Sequence, residues 1–268
     1  MMAVLAVDQV VRDIGSEDRG AAAAGHPQQY RVDVLADSAA CEVLIGHGLG
    51  VLSEESGLHF PERRLRAILD PIDGSANCAA GRGPYGPSLC LVDDQGPLAG
   101  IVYDIASGAC FRAERGQGAV LDGRPLARTA ATRLRTLAVG DQGLSWGPDV
   151  ATAFSGASAH DLCRVAAGAA DAYVDVLNTQ AVWDYLAAAL VIMECGGVIR
   201  ERSGAKLWEP RSGGVRRRIA AASSVPVWNE LMALLLSRKQ AGSCSSGGLR
   251  RECAGSCRAT AATAWAGL

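Results

Sequence analysis

The chain has 268 residues, 49% of them hydrophobic and 20% charged, and its formal net charge is −2. That supplies one large core or two closely packed lobes, and it excludes the basic stripe that a nucleic-acid binder carries. No apolar run approaches the roughly 20 residues of a membrane span, and the start, with Asp8, Arg12 and Asp13 but no basic leader, does not read as a signal peptide.

The first segment predicts an amphipathic helix with Val4, Val7, Val10 or Val11 and Ile14 on one stripe. After a Gly/Ala/Pro-containing stretch to Tyr30, VDVLADSAACEVLI predicts a short extended piece running into a helix. Gly50 to Ser53 predicts a strand ending in Glu54 and Glu55, and Arg66 to Leu69 a strand that delivers D-P-I-D-G-S-A-N. Ser88 to Val92, a D-D-Q-G turn and Leu98 to Tyr103 predict a β-hairpin, which Cys110 to Ala113 and Ala119 to Leu121 continue as a meander.

Further on, a strand is expected over Leu134 to Val139, a helix over Ala159 to Ala170 and a strand over Ala172 to Val176. A strongly apolar helix over Val182 to Glu194 is stopped by Gly196 and Gly197, and Val198 and Ile199 begin another strand. The last helix runs from Pro226 to Arg238, with Ser224 as candidate cap. From Gln240 the chain has no apolar period and reads as a disordered tail. Nine cysteines, scattered and without a C-x-x-C pair, read as thiols in a reducing cytoplasm rather than a disulfide frame or a structural zinc site. The four histidines share no metal-ligand spacing, and Arg216 to Arg218 reads as a solvated turn or a phosphate-side loop.

Three acidic groups carry chemistry. In Asp70-Pro71-Ile72-Asp73-Gly74-Ser75 a proline with fixed φ and a permissive glycine turn two carboxylates toward one place at a strand end. Hard oxygens so placed suit Mg2+, and the N–H groups of Gly74 and Ser75 open a segment that could face a phosphate. The same residues also make an ordinary turn. The second group is Ser53-Glu54-Glu55-Ser56-Gly57; the third is Asp184, in Trp183-Asp184-Tyr185-Leu186-Ala187-Ala188 at the start of the apolar helix, where an Asp also serves as simple capping.

Taken in order, E-E-S-G, D-P-I-D-G-S-x-N and W-D-x-x-A-A with a downstream E-x-G-G resemble the inositol monophosphatase family, a superfamily of magnesium-dependent, lithium-sensitive phosphatases. The likeness spans about Asp33 to Leu236. It implies an α+β fold, a layered α-β-α-β-α sandwich of the sugar-phosphatase type, with an N-terminal lobe over 1–128, a C-terminal lobe over 129–239 and the tail over 240–268. It implies that Glu54, Asp70 and the Ile72 carbonyl hold one metal, and that Asp70, Asp73 and Asp184 hold a second. It also implies that Asp37 and Ser75 orient and deprotonate the attacking water. Gly74, Ser75, Gly156, Ala157, Ser158 and Asp175 are the residues it assigns to substrate.

Ser75 stands for a motif threonine and keeps the hydroxyl, whereas Ala76 and Cys78 depart from the pattern, and two extra residues separate Asp171 from Asp184. The activity implied is Mg2+-dependent hydrolysis of a small-molecule phosphate ester, inositol phosphate by default. Histidinol phosphate, a sugar phosphate or bisphosphate and a 3′-phosphonucleotide are rivals within that chemistry. The expected partners are the ester and, if any protein, a second copy in a homodimer, with neither nucleic acid nor membrane. A rival of another class is a catalytically weak scaffold that keeps the fold for binding.

Overall fold

The structure, a computed structural model, describes residues 1–24, 26–127, 131–140, 146–209 and 214–243. In chain order it begins with α1 (Met2–Asp13), α2 (Ser16–Arg19), the paired strands β1 (Ala22–Ala23) and β2 (His26–Tyr30), and α3 (Arg31–Gly46). There follow β3 (Gly50–Ser53), β4 (Gly57–His59), β5 (Arg66–Asp73), α4 (Ser75–Ala79), β6 (Gly86–Asp93), β7 (Gly96–Tyr103), β8 (Cys110–Glu114), β9 (Gly118–Leu121) and β10 (Arg124–Pro125). The rest comprises β11 (Thr136–Val139), β12 (Ala151–Ala153), α5 (Ser158–Ala166), β13 (Ala172–Val174), α6 (Val182–Glu194), β14 (Val198–Glu201), β15 (Ile219–Ala222) and α7 (Val225–Ser243).

Two sheets organise the molecule. One has the order β10-β9-β8-β7-β6-β5-β3-β4, the other β12-β11-β13-β15-β14. Alternation along the strands sorts side chains into three cores. Ala67 and Leu69 of β5 and Leu89 of β6 face α1 and α3, through Val4, Val7, Val11, Val32, Ala36, Ala40 and Leu44. Ile68, Cys90 and Val92, from the same strands, face α5 and α6. In the second sheet Ala138, Tyr173, Ile199, Ile219 and Ala221 also face α5 and α6. Their neighbours Leu137, Val139, Ala172, Val174, Ala220 and Ala222 face Val227, Leu231, Met232 and Leu235 of α7.

The layers therefore run α, β, α, β, α, as expected from the family resemblance. The central α6 lies between two sheets, which is why Tyr185 to Ile192 is buried all round.

The sequence places some boundaries otherwise. The chain is helical from Arg31, with no extended piece at Val32, because Val32, Ala36, Ala40 and Leu44 fall on one face at a spacing of four and bury together. The strand carrying the acidic motif continues beyond Leu69 to Asp73, and α5 stops at Ala166, two residues before the left-handed Gly168. Ser224 Oγ accepts the Val227 N–H at 3.3 Å at the start of α7. The lobe boundary expected at Arg128 lies outside the described residues. Of the expected tail, only the part to Ser243 is described, as the end of α7.

Candidate functional site

The first sheet and α6 bring the three acidic groups together. β3 and β5 are parallel neighbours with Ser53 opposite Leu69, and the Glu54 N–H donates to the Leu69 carbonyl at 3.0 Å. Glu54 therefore leaves the sheet beside Asp70. Pro71 has no N–H to give the ladder, and the pairing of β5 with β6 shifts between Asp70 and Asp73, a bulge that re-aims the side chains at this edge.

Opposite Asp70 on β6 stands Ser88, whose hydroxyl donates to the Trp183 carbonyl at 3.0 Å and ties the sheet to the start of α6. In that first turn Asp184 accepts the Ala181 N–H at 2.6 Å. One carboxylate oxygen each from Glu54, Asp70 and Asp184 lies within 4.8 Å of the other two.

Three acids this close, with Asp70 buried, resist ionisation. Burial pushes the Asp70 carboxyl well above the usual range, and the charges of Glu54, Asp73 and Asp184 push it further. Asp184 is raised by burial and then by Glu54. Glu54 is raised by burial, against which the nearby Arg216 guanidinium works. A cluster of hard oxygen donors short of positive charge fits a divalent cation, so these three residues could hold a metal ion.

The neighbouring motif residues are placed differently. Asp73 is buried, and its carboxylate accepts the backbone N–H groups of Ser158 at 3.0 Å, Ala159 at 2.8 Å and His160 at 3.3 Å, at the start of α5. His160 Nδ1 lies 3.0 Å from the same carboxylate. Burial opposes protonation of His160, but the hydrogen bond and charge of Asp73 outweigh it, and its pKa is raised. Asp73 adds negative charge to the cluster without sharing its closest contacts. The Ile72 carbonyl accepts the Ser75 hydroxyl at 3.0 Å.

Gly74, at φ 86°, sits where a Cβ would come within 2.9 Å of the Pro84 carbonyl oxygen and 3.0 Å of the Ala157 Cβ, so the tight turn admits only glycine. Asn77 Nδ2 donates to the carbonyls of Pro84 at 2.9 Å and Ser155 at 2.7 Å, which holds Gly156, Ala157 and Ser158 against the acidic motif. Asp175 is fully buried, and its carboxylate accepts the N–H groups of Leu177 and Thr179, each at 2.9 Å, shaping its own loop rather than entering the cluster.

Asp37 does not meet Ser75: its carboxylate accepts the Ser53 hydroxyl and lies 3.5 Å from the Cys41 thiol. The Ser75 hydroxyl acts instead on Asp33, one helical turn earlier on the same face of α3, whose pKa it lowers. Asp33 is buried, and burial together with the Glu55 charge raises its pKa to about 7. Sequence reading missed Asp33 and His160 and placed Arg216 only in a solvated turn or phosphate-side loop; two acids four apart on a helix are the signal for the first, and the histidine carried none.

The sign of the pH dependence follows. A carboxyl raised on folding binds its proton more tightly in the folded chain, so its contribution to stability falls as pH rises from its unfolded value through its folded one. His160, raised by its partner, loses its contribution in the same direction. Chelator-treated protein is therefore expected to melt at a lower temperature at pH 8 than at pH 5.5, by on the order of 5 °C. Saturating divalent cation should shrink the difference, and thermal melts at both pH values with and without cation check this.

The model of the inositol monophosphatase family matches residues 38–241. A Nus factor SuhB of Xylella fastidiosa is 31% identical over 207 residues, covering 70% of this chain and 73% of that protein. A fructose-1,6-bisphosphatase/inositol-1-monophosphatase of Methanothermobacter thermautotrophicus is 27% identical over 269 residues, covering 87% and 95%. The crystal structure of the extragenic suppressor protein suhB from Bartonella henselae superposes with a TM-score of 0.74 at 25% identity, covering 87% of this chain and 95% of that one.

Proposed function

The chain belongs to the inositol monophosphatase family and is a phosphoric monoester hydrolase, and on that premise we propose that it hydrolyses a small-molecule phosphate monoester with Mg2+ held at Glu54, Asp70 and Asp184. The observation that carries this reading is the convergence of those three carboxylates within 4.8 Å. Asp73 and the Ile72 carbonyl complete the proposed ligand set.

A bound divalent cation supplies neutralisation of the ester's charge and acidifies water. The residues of the chain do the rest. Asp33 takes the proton of the attacking water, and the Ser75 hydroxyl, within reach of Asp33 and the Ile72 carbonyl, orients that water. The N–H groups of Gly74 and Ser75 face the phosphate. The segment of Gly156, Ala157 and Ser158, fixed by Asn77 and Asp73, lines the part that takes the alcohol, with Asp175 shaping the loop beside it.

An inositol phosphate is the first substrate to try; a sugar bisphosphate, histidinol phosphate and a 3′-phosphonucleotide follow. Among the described residues no helix is long and apolar enough to cross a membrane, and the six described cysteines are free, in keeping with work on a cytoplasmic metabolite.

A phosphate-release screen over these esters, with and without Mg2+, tests the reading. Release from at least one ester is expected, falling to background when a chelator removes the cation. Background release from every ester at saturating Mg2+ would leave only the scaffold reading.

A further inference from the structure

Arg216 lies in the segment that enters β15, far in sequence from all three acidic motifs, yet its Nη1 stands 3.2 Å from Asp184 Oδ2. The position is built. The Gln180 and Arg217 backbones pair in both directions, at 3.3 and 2.7 Å, which pins this segment against the residues that lead into α6. The same Nη1 donates to the Thr179 carbonyl at 2.6 Å, fixing the guanidinium at the mouth of the cluster. Its charge acts on two members of the cluster, opposing the rise in the pKa of both Glu54 and Asp184. The side chain remains 48% exposed.

We propose that Arg216 is a determinant of cation binding at this site: its guanidinium and a divalent cation compete for the Asp184 carboxylate. The inference rests on reading Glu54, Asp70 and Asp184 as the metal site. Asp184 Oδ2 already accepts two donors, Arg216 Nη1 and the Ala181 N–H, so its remaining capacity is small. A second positive charge a few ångströms away also repels an incoming cation, whichever oxygen the cation takes. The arginine thus lowers metal affinity and sets how much free cation is needed to fill the site. The opposite role, a hydrogen bond that orients Asp184 as a ligand, would raise affinity, so the sign of the effect separates the two.

The test is calorimetric titration of Mn2+ and of Mg2+ into chelator-treated full-length protein, for the unaltered chain, Arg216→Gln, Arg216→Lys and Arg64→Gln. Arg64 is paired with Asp94 on an exposed surface, and its removal changes net charge equally. Arg216→Gln is expected to tighten cation binding roughly three- to fivefold, the scale of a partly exposed charge pair. Arg216→Lys keeps the charge and should stay near the unaltered value, and Arg64→Gln should not move it. Binding by Arg216→Gln that is unchanged or weaker overturns the inference while leaving the metal site standing. If neither the unaltered chain nor Arg216→Gln binds cation, the metal-site reading falls and the inference falls with it.

Discussion

Asp70→Asn is expected to lower Mg2+-dependent phosphate release by at least about a thousandfold, because a cation that neutralises the ester supplies several kcal/mol of transition-state stabilisation and each ~1.4 kcal/mol is a factor of ten. Asp70 is the central acid of the cluster: it feels Glu54, Asp73 and Asp184, and it is buried. The same change should raise the melting temperature of chelator-treated protein at pH 8, since it removes a buried carboxyl whose ionisation among like charges is unfavourable. The asparagine oxygen can still accept the Ile72 N–H, which Asp70 Oδ1 accepts at 3.0 Å, so the bulge should survive. Opposite movement of activity and stability marks a residue kept for chemistry rather than for folding. Turnover within tenfold of the unaltered chain, in a protein whose circular dichroism is unchanged, would remove Asp70 from the site.

Asp33→Asn should reduce kcat by roughly a hundredfold to ten-thousandfold with little change in KM, the usual range for loss of a positioned proton acceptor. Asp37→Asn, four residues along the same helix, should change kcat less than about tenfold, and it should instead cost about 1 kcal/mol of stability, because Asp37 holds the Ser53 hydroxyl and faces the Cys41 thiol. Steady-state kinetics and thermal melts on the pair distinguish them. If Asp37→Asn stops turnover and Asp33→Asn does not, the roles assigned from the structure are reversed.

The contrast between these two aspartates shows where sequence reading ran short. Asp33 and Asp37 share one face of α3, so composition and periodicity treat them alike; what separates them is where β3 and α4 cross that face. Ser53 arrives at one turn and Ser75 at the other.

Asp73 presents the same difficulty. Its spacing of three from Asp70 was legible, but whether it points at the cluster or at α5 depends on the bulge at Pro71 and on a helix start some 85 residues later. Arg216 was legible only as part of a basic run. Its nearness to Asp184 exists only because an isolated pairing of Gln180 with Arg217 brings two distant segments together.

The sequence by itself determined the mixed order of strands and helices, the order of the acidic motifs and the apolar character of α6, because periodicity and short-range turn chemistry are written in neighbouring residues; the layered α-β-α-β-α arrangement was implied by the family resemblance those motifs carry. Tertiary structure alone decided which oxygens face one another, which acid the Ser75 hydroxyl acts on, and that an arginine from the segment entering β15 pairs with Asp184. The physical reason is range: propensity and burial act along a few residues, whereas the balance of charge at a site sums over every segment that the fold packs within a few ångströms of it.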